Sequence, residues 1–218
     1  MTDDDRLLQG WALLLGFAIL IAYEGWVTWL GRRQPQRVAR RAHARLRAAW
    51  VRVLSDQPGF EIVAVQTLRN SLMSATITAS TAALCMMGVV TLSGSRLLGG
   101  LAVFHGSRPA AAEWLDLALL IVLFASFVCS AFSMRYYNHA GFVVSMPAGS
   151  AVRLQHEALA VRYVEQAGVL YGWGLRCFLL AAPLLAGIVA PLLMPAASGG
   201  LVLVLWSFDR PAPPEADA

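Results

Sequence analysis

The chain has 218 residues, 58% of them hydrophobic and 14% charged, with a mean hydropathy of +0.60. These values exclude an ordinary water-soluble domain and make the lipid bilayer the natural solvent. The formal net charge of +4 is concentrated in a few stretches, so it bears on membrane orientation rather than on a nucleic-acid partner. All 17 basic residues are Arg, a pattern that the codon bias of a GC-rich genome explains as well as any need for guanidinium chemistry.

The first apolar segment runs from Leu7 to Leu30, roughly 36 Å at about 1.5 Å per residue and enough for a hydrocarbon core of about 30 Å. Asp3, Asp4 and Asp5 precede it and Arg32 and Arg33 follow it. A secretory signal has the reverse polarity and a small-residue cleavage site, so this is an uncleaved anchor with its N-terminus outside. A second span covers 72–92, entered through Gln66, Arg69 and Asn70. A third covers 115–132 after Pro109, with Glu113 and Asp116 in the first turn, where carboxylates suit the helix dipole. A fourth covers about 169–194 and contains Pro183 and Pro191, which read as bends. The stretch 198–208 follows Pro195, Gly199 and Gly200 and is short, so it reads as an interfacial or re-entrant tail; a fifth span there would put the C-terminus in the cytoplasm. Residues 209–218 are Pro-rich and acidic and read as disordered.

Eleven arginines lie between spans one and two or between spans three and four, among them Arg37, Arg40, Arg45, Arg47, Arg52, Arg135, Arg153 and Arg162. Arg6, Arg96, Arg108 and Arg210 lie on the other side. Basic loops resist translocation, so the four-span solution is N-out and C-out with two cytoplasmic loops. The expected architecture is an all-α integral membrane protein of the bacterial inner membrane, a single domain over 1–208 with four transmembrane helices.

Within the first cytoplasmic loop, Val38, Ala42, Leu46, Ala49 and Val53 recur at spacings of three and four. This predicts an amphipathic interfacial helix over about 36–55, its apolar face at the acyl boundary and its cations near anionic lipid. Asp56 to Gly59, with Pro58, then turns the chain.

The same topology gathers three polar groups at one membrane face. Arg69 and Asn70 enter span two, Arg135, Tyr137, Asn138 and His139 leave span three, and Arg176 enters span four. Guanidiniums, an amide, a phenol and an imidazole converging there suit an anionic headgroup. The alternative is a set of ordinary snorkelling cations and interfacial aromatics. Glu24 and Arg176 sit at matching depths inside spans one and four, which predicts an intramembrane ion pair.

The stretches QTLRNSLMSATITASTAAL from Gln66, FSMRYYNHAGF from Phe132 and GVLYGWGLRCFLLAAPLL from Gly168 resemble the bacterial and plant membrane family catalogued as domain of unknown function 599. The resemblance covers roughly Phe60 to Met194. It implies a multi-span membrane protein in which Arg69, Asn70, Arg135, Asn138, His139 and Arg176 matter, and it implies no reaction. The Arg-rich segment after span one has no place in that pattern.

Motifs for hydrolysis, zinc proteolysis or nucleotide binding are absent. His43, His105, His139 and His156 are scattered. Cys85, Cys129 and Cys177 lie in apolar stretches without metal-ligand spacing and read as buried inert thiols. No cofactor and no metal are expected. Gly168 and Gly172 form a GxxxG step that reads as a close-packing device for span four. The sequence therefore favours a non-enzymatic component that associates with anionic lipids, a membrane protein partner or a second copy of itself. A small transporter or channel subunit is the alternative, drawing on Glu24 and Arg176. An enzyme acting on a lipid, with His139 as acid or base, comes last.

Overall fold

The computed structural model describes residues 3–33, 39–102 and 110–209. Arg37, Val38, His105, Arg108, Pro109 and the tail from Arg210 lie outside them. The elements in chain order are α1 (Asp3–Arg33), α2 (Ala39–Asp56), α3 (Glu61–Ala102), α4 (Ala110–Val144), α5 (Ala151–Val189), a 3-10 turn (Pro191–Leu193) and α6 (Met194–Asp209). No strand occurs among the described residues.

Five helical stretches are long and apolar enough to cross a membrane: Leu7–Leu30, Glu61–Leu92, Glu113–Val144, Ala151–Val189 and Pro191–Asp209. The sequence count of four is corrected at its end. Ala190 is extended, with φ −151° and ψ 111°, because a residue before proline is driven out of the α region. The break therefore falls at Ala190–Pro191, inside the segment read as span four. Pro195, Gly199 and Gly200 lie within α6, so the stretch read as an interfacial or re-entrant tail is part of a longer helix. Proline is tolerated in a first helical turn, where its missing N–H costs nothing, and the apolar stretch lengthens to 19 residues, about 28 Å at 1.5 Å per residue. Pro183, by contrast, stays inside α5, as a bilayer helix allows when its freed backbone groups are satisfied by neighbours.

The polar ends of the other spans are also helical. α3 has 42 residues and α5 has 39, roughly 60 Å each and about twice a hydrocarbon core. Arg69, Asn70 and the run from Arg135 to His139 thus continue their helices in register instead of opening loops.

Contacts divide the chain into two compact units, Met1–Arg41 with Met86–Val122 and Leu179–Ala218, and Ala42–Cys85 with Leu123–Phe178. In the first, Leu20, Tyr23 and Val27 of α1 pack on Leu201 and Leu205 of α6. Met194 sits against Gly16, where a Cβ would stand 2.7 Å from its Cγ. At the other end of the pair the Tyr23 hydroxyl donates to Asp209 Oδ2 at 2.8 Å. Since Gly16 meets the start of α6 and Tyr23 its end, the two helices run parallel. The end of α6 consequently lies toward the arginine-bearing end of α1, which removes the basis for placing the C-terminus on the same side as the N-terminus.

In the second unit α2, α3, α4 and α5 share one core. Val51 and Leu54 pack with Leu68, Ala140, Val144, Val164 and Ala167. The α2 helix forms as the sequence predicts, but its buried face is a different one. Ala48, Val51, Leu54 and Ser55 are buried, whereas Leu46, Ala49 and Val53 of the expected face are exposed. At about 100° per residue the two stripes lie on opposite sides of the helix.

Candidate functional site

The second unit is held at one end by a buried guanidinium. Arg153, in the first turn of α5, is 1% exposed. A cation there opposes the helix dipole, so its position needs another cause, and the cause is a set of orphan carbonyls. Its Nη1 donates to the Met146 carbonyl beyond the end of α4 at 2.7 Å. Nη2 donates to the Leu54 carbonyl in the last turn of α2, also at 2.7 Å. Last-turn carbonyls have no partner within their own helix, and the planar fork of arginine serves two at once.

Glu61 completes this junction. It lies 3.9 Å from Arg153 Nη1 and accepts the Ala148 N–H at 3.0 Å and the Gly59 N–H at 2.9 Å. Gly59 and Gly149 both have positive φ, +91° and +74°, which a β-carbon would penalise. The turn between α2 and α3, the loop between α4 and α5 and the end of α2 are thereby tied to one another. Sequence reading counted Arg153 only as a topological charge. The available signal was an arginine three residues after Ser150, a first-turn position where its charge is unfavourable.

A second feature missed in the sequence is a seam of small residues between α4 and α5. Ser126, Ser130 and Ser133 are wholly buried. The Ser126 hydroxyl donates to the Gly174 carbonyl and that of Ser133 to the Ala167 carbonyl, both at 2.8 Å. A Cβ at Gly174 would stand 2.6 Å from Ser130 Oγ. Without a hydrophobic drive between helices in lipid, small residues and hydroxyls of this kind let backbones approach. The heptad spacing of Ser126, Ser133 and Ala140 carried that signal.

A third feature joins α2 to this seam. The Arg47 guanidinium lies over Gly168 of α5, where any Cβ would overlap it. Its Nε is buried and has no hydrogen-bond partner among the described residues. It is within electrostatic reach of Tyr137 on α4. The GxxxG step is thus resolved into two unlike glycines. Gly168 makes room for Arg47, whereas a Cβ at Gly172 would meet nothing within 4 Å.

The residues singled out from the sequence fall into different environments. Arg69, Asn70, Arg135, Asn138 and His139 are exposed. Tyr137 belongs to the core, and Arg176 is buried. Glu24, in the first unit, is half-buried. The His139 ring packs at 5.5 Å from that of Tyr163, which also lies 5.8 Å from Tyr136. Among the described residues no group of three His, Cys, Asp or Glu could hold a metal ion. Cys85 is exposed rather than buried, and Cys129 and Cys177 are half-buried, because their apolar surroundings in the sequence are lipid-type surface as much as core.

Neither a search of curated proteins nor one of solved structures gives a match. A family model described as "Protein of unknown function, DUF599" matches residues 11–213, a range that takes in α2 and α6 as well as the three motifs between them. The chain belongs to that family.

Proposed function

We propose that the protein is a non-enzymatic component of the bacterial inner membrane that crosses five times, N-terminus outside and C-terminus in the cytoplasm, and associates with anionic lipid through its arginine-bearing helix ends. Five crossings with this orientation bring Arg210 to the cytoplasmic side, and the balance of flanking arginines becomes twelve to three. That fits the rule for basic loops better than four crossings do. The parallel run of α1 and α6 supports the same orientation.

The lipid association is carried by α2. One apolar stripe, Ala48, Val51 and Leu54, is spent inside the protein. The other, Leu46, Ala49 and Val53, is exposed, and the exposed Arg45 and Arg52 lie beside it. A helix with an exposed apolar stripe edged by cations fits the boundary between acyl chains and anionic headgroups. Arg69, Asn70, Arg135, Asn138 and His139 would extend the polar surface along α3 and α4, with Tyr137 and Arg176 beneath it.

A nitroxide at position 53 tests this in a chain whose native cysteines are replaced by serine. In vesicles containing phosphatidylglycerol the label should be shielded from an aqueous nickel reagent and reached by oxygen. Full access to nickel would leave the stripe facing water and overturn the reading. Protection that persists in phosphatidylcholine vesicles but vanishes on dilution of the protein would assign the stripe to a protein partner instead.

A further inference from the structure

We propose that Arg47 is the recognition centre of a binding site for a phosphate-type oxoanion, formed where α2 lies over α4 and α5 and distinct from the exposed arginines at the surface. The proposal rests on the reading of this end of the protein as anion-associating, and it deepens that reading by naming the site.

Four observations converge on it. First, although Arg47 as a whole is half-buried, its Nε is removed from water without an acceptor among the described residues. Burying a charged donor with nothing to accept its proton is expensive, so buried cations are normally paired. Among the described residues Arg47 makes no ion pair, in contrast with Arg153 and its Glu61. Second, the helix that carries it is anchored by Ala48, Val51 and Leu54 in the core, which fixes the point from which the side chain reaches α5.

Third, the guanidinium lies where a side chain at 168 would stand, so a Cβ there would displace it from this position. Fourth, the neutral hydroxyl of Tyr137 lies within electrostatic reach of the cation. A cation with several N–H donors beside a hydroxyl suits a tetrahedral oxoanion, which offers acceptors in several directions and takes two parallel N–H bonds from one arginine. A phospholipid headgroup and free phosphate share this chemistry.

The site is tested on the full chain purified in detergent, with two probes. Retention of phosphatidylglycerol against phosphatidylcholine is read by native mass spectrometry. Inorganic phosphate against chloride at equal ionic strength is read by thermal shift. The wild type should bind one of the two saturably. Arg47→Gln and Gly168→Ala should each weaken that binding about tenfold or more, whereas Arg52→Gln on the same helix should change it less than about twofold, since a fixed charge-assisted fork discriminates and an exposed cation contributes diffuse attraction. Tyr137→Phe keeps the ring in the core and should weaken binding about threefold, the scale of one lost hydrogen bond. If Arg47→Gln does not fold, Tyr137→Phe together with Arg47→Lys, which retains charge but not the fork, decides between the outcomes. Saturation by phosphatidylglycerol alone assigns the ligand to lipid, and a response to phosphate assigns it to the free anion.

A flat response to both probes in the wild type overturns the proposal, as does full binding by Arg47→Gln or by Tyr137→Phe and Arg47→Lys together. Loss of that binding with the label at position 53 still shielded would separate the Arg47 site from the surface association. An unshielded label with saturable binding intact would do the reverse.

Discussion

The two compact units solve the same problem with different chemistry. In the first, α1 and α6 meet through Leu20, Val27, Leu201 and Leu205, with Met194 seated on Gly16 and a cross-helix hydrogen bond from Tyr23 to Asp209. In the second, the core of α2, α3, α4 and α5 carries Arg153 on two carbonyls, Glu61 on two amides and a line of buried serines. Apolar packing in a bilayer gains little from hydrophobicity alone, so the first unit depends mainly on shape, whereas the second adds buried polar groups, most of them satisfied and Arg47 Nε and Ser130 Oγ not. Their sensitivities to substitution should therefore differ in kind.

The largest effect belongs to Arg153. Arg153→Ala leaves the carbonyls of Leu54 and Met146 without donors and removes the partner of Glu61. The loss should be about 3 to 5 kcal/mol, the scale for breaking a buried ionic network, read as the melting temperature in detergent. Arg153→Lys should recover only a minor part, because an ammonium cannot span both carbonyls. A full rescue by lysine would mean that charge alone matters there.

Shape dependence in the first unit is sharpened by a pair of glycines on α1. Gly16→Ala places a methyl against Met194 and should cost about 1 to 3 kcal/mol, the range for overpacking. Gly25→Ala meets nothing within 4 Å and should be neutral or stabilising by up to about 1 kcal/mol from helix propensity. Equal losses at both positions would show that α6 does not pack on α1 through Met194.

Single hydroxyls should matter least. Ser133→Ala removes the bond to the Ala167 carbonyl and should cost about 0.6 kcal/mol, the average for such bonds in a membrane protein. Tyr23→Phe, which removes the bond to Asp209, should cost about 1 kcal/mol or less. A loss above that of Gly16→Ala from either would blur the contrast between the units.

The sequence carried the helical class and much of the element pattern, because long apolar runs have few alternatives. The first span, Leu7–Leu30, coincides with the structural stretch. Its failures were of three physical kinds. At α6, the stretch read as a short interfacial or re-entrant tail belongs to a longer helix, because Pro195 falls in the first turn and is tolerated there. On α2, two apolar stripes lie on opposite faces, and periodicity cannot choose between Leu46, Ala49, Val53 and Ala48, Val51, Leu54 until the partner helices are present. For the site, arginines were ranked by proximity to span ends, which selects Arg69 and Arg135. Burial, which depends on tertiary contacts, selects Arg153 and Arg176, of which the sequence had singled out only Arg176. Gly168 was noticed as half of a GxxxG step, yet what it accommodates is a side chain from a segment more than a hundred residues earlier.

The proposed five-crossing topology places the end of α6 with the arginine-bearing helix ends, and a reporter at the C-terminus tests it directly. Alkaline phosphatase fused after Ala218 is active only when exported. With the C-terminus in the cytoplasm the fusion should be inactive, while a green fluorescent protein at the same position should fluoresce. An active phosphatase and a dark fluorescent protein would put the C-terminus outside, restore an even number of crossings and contradict the account.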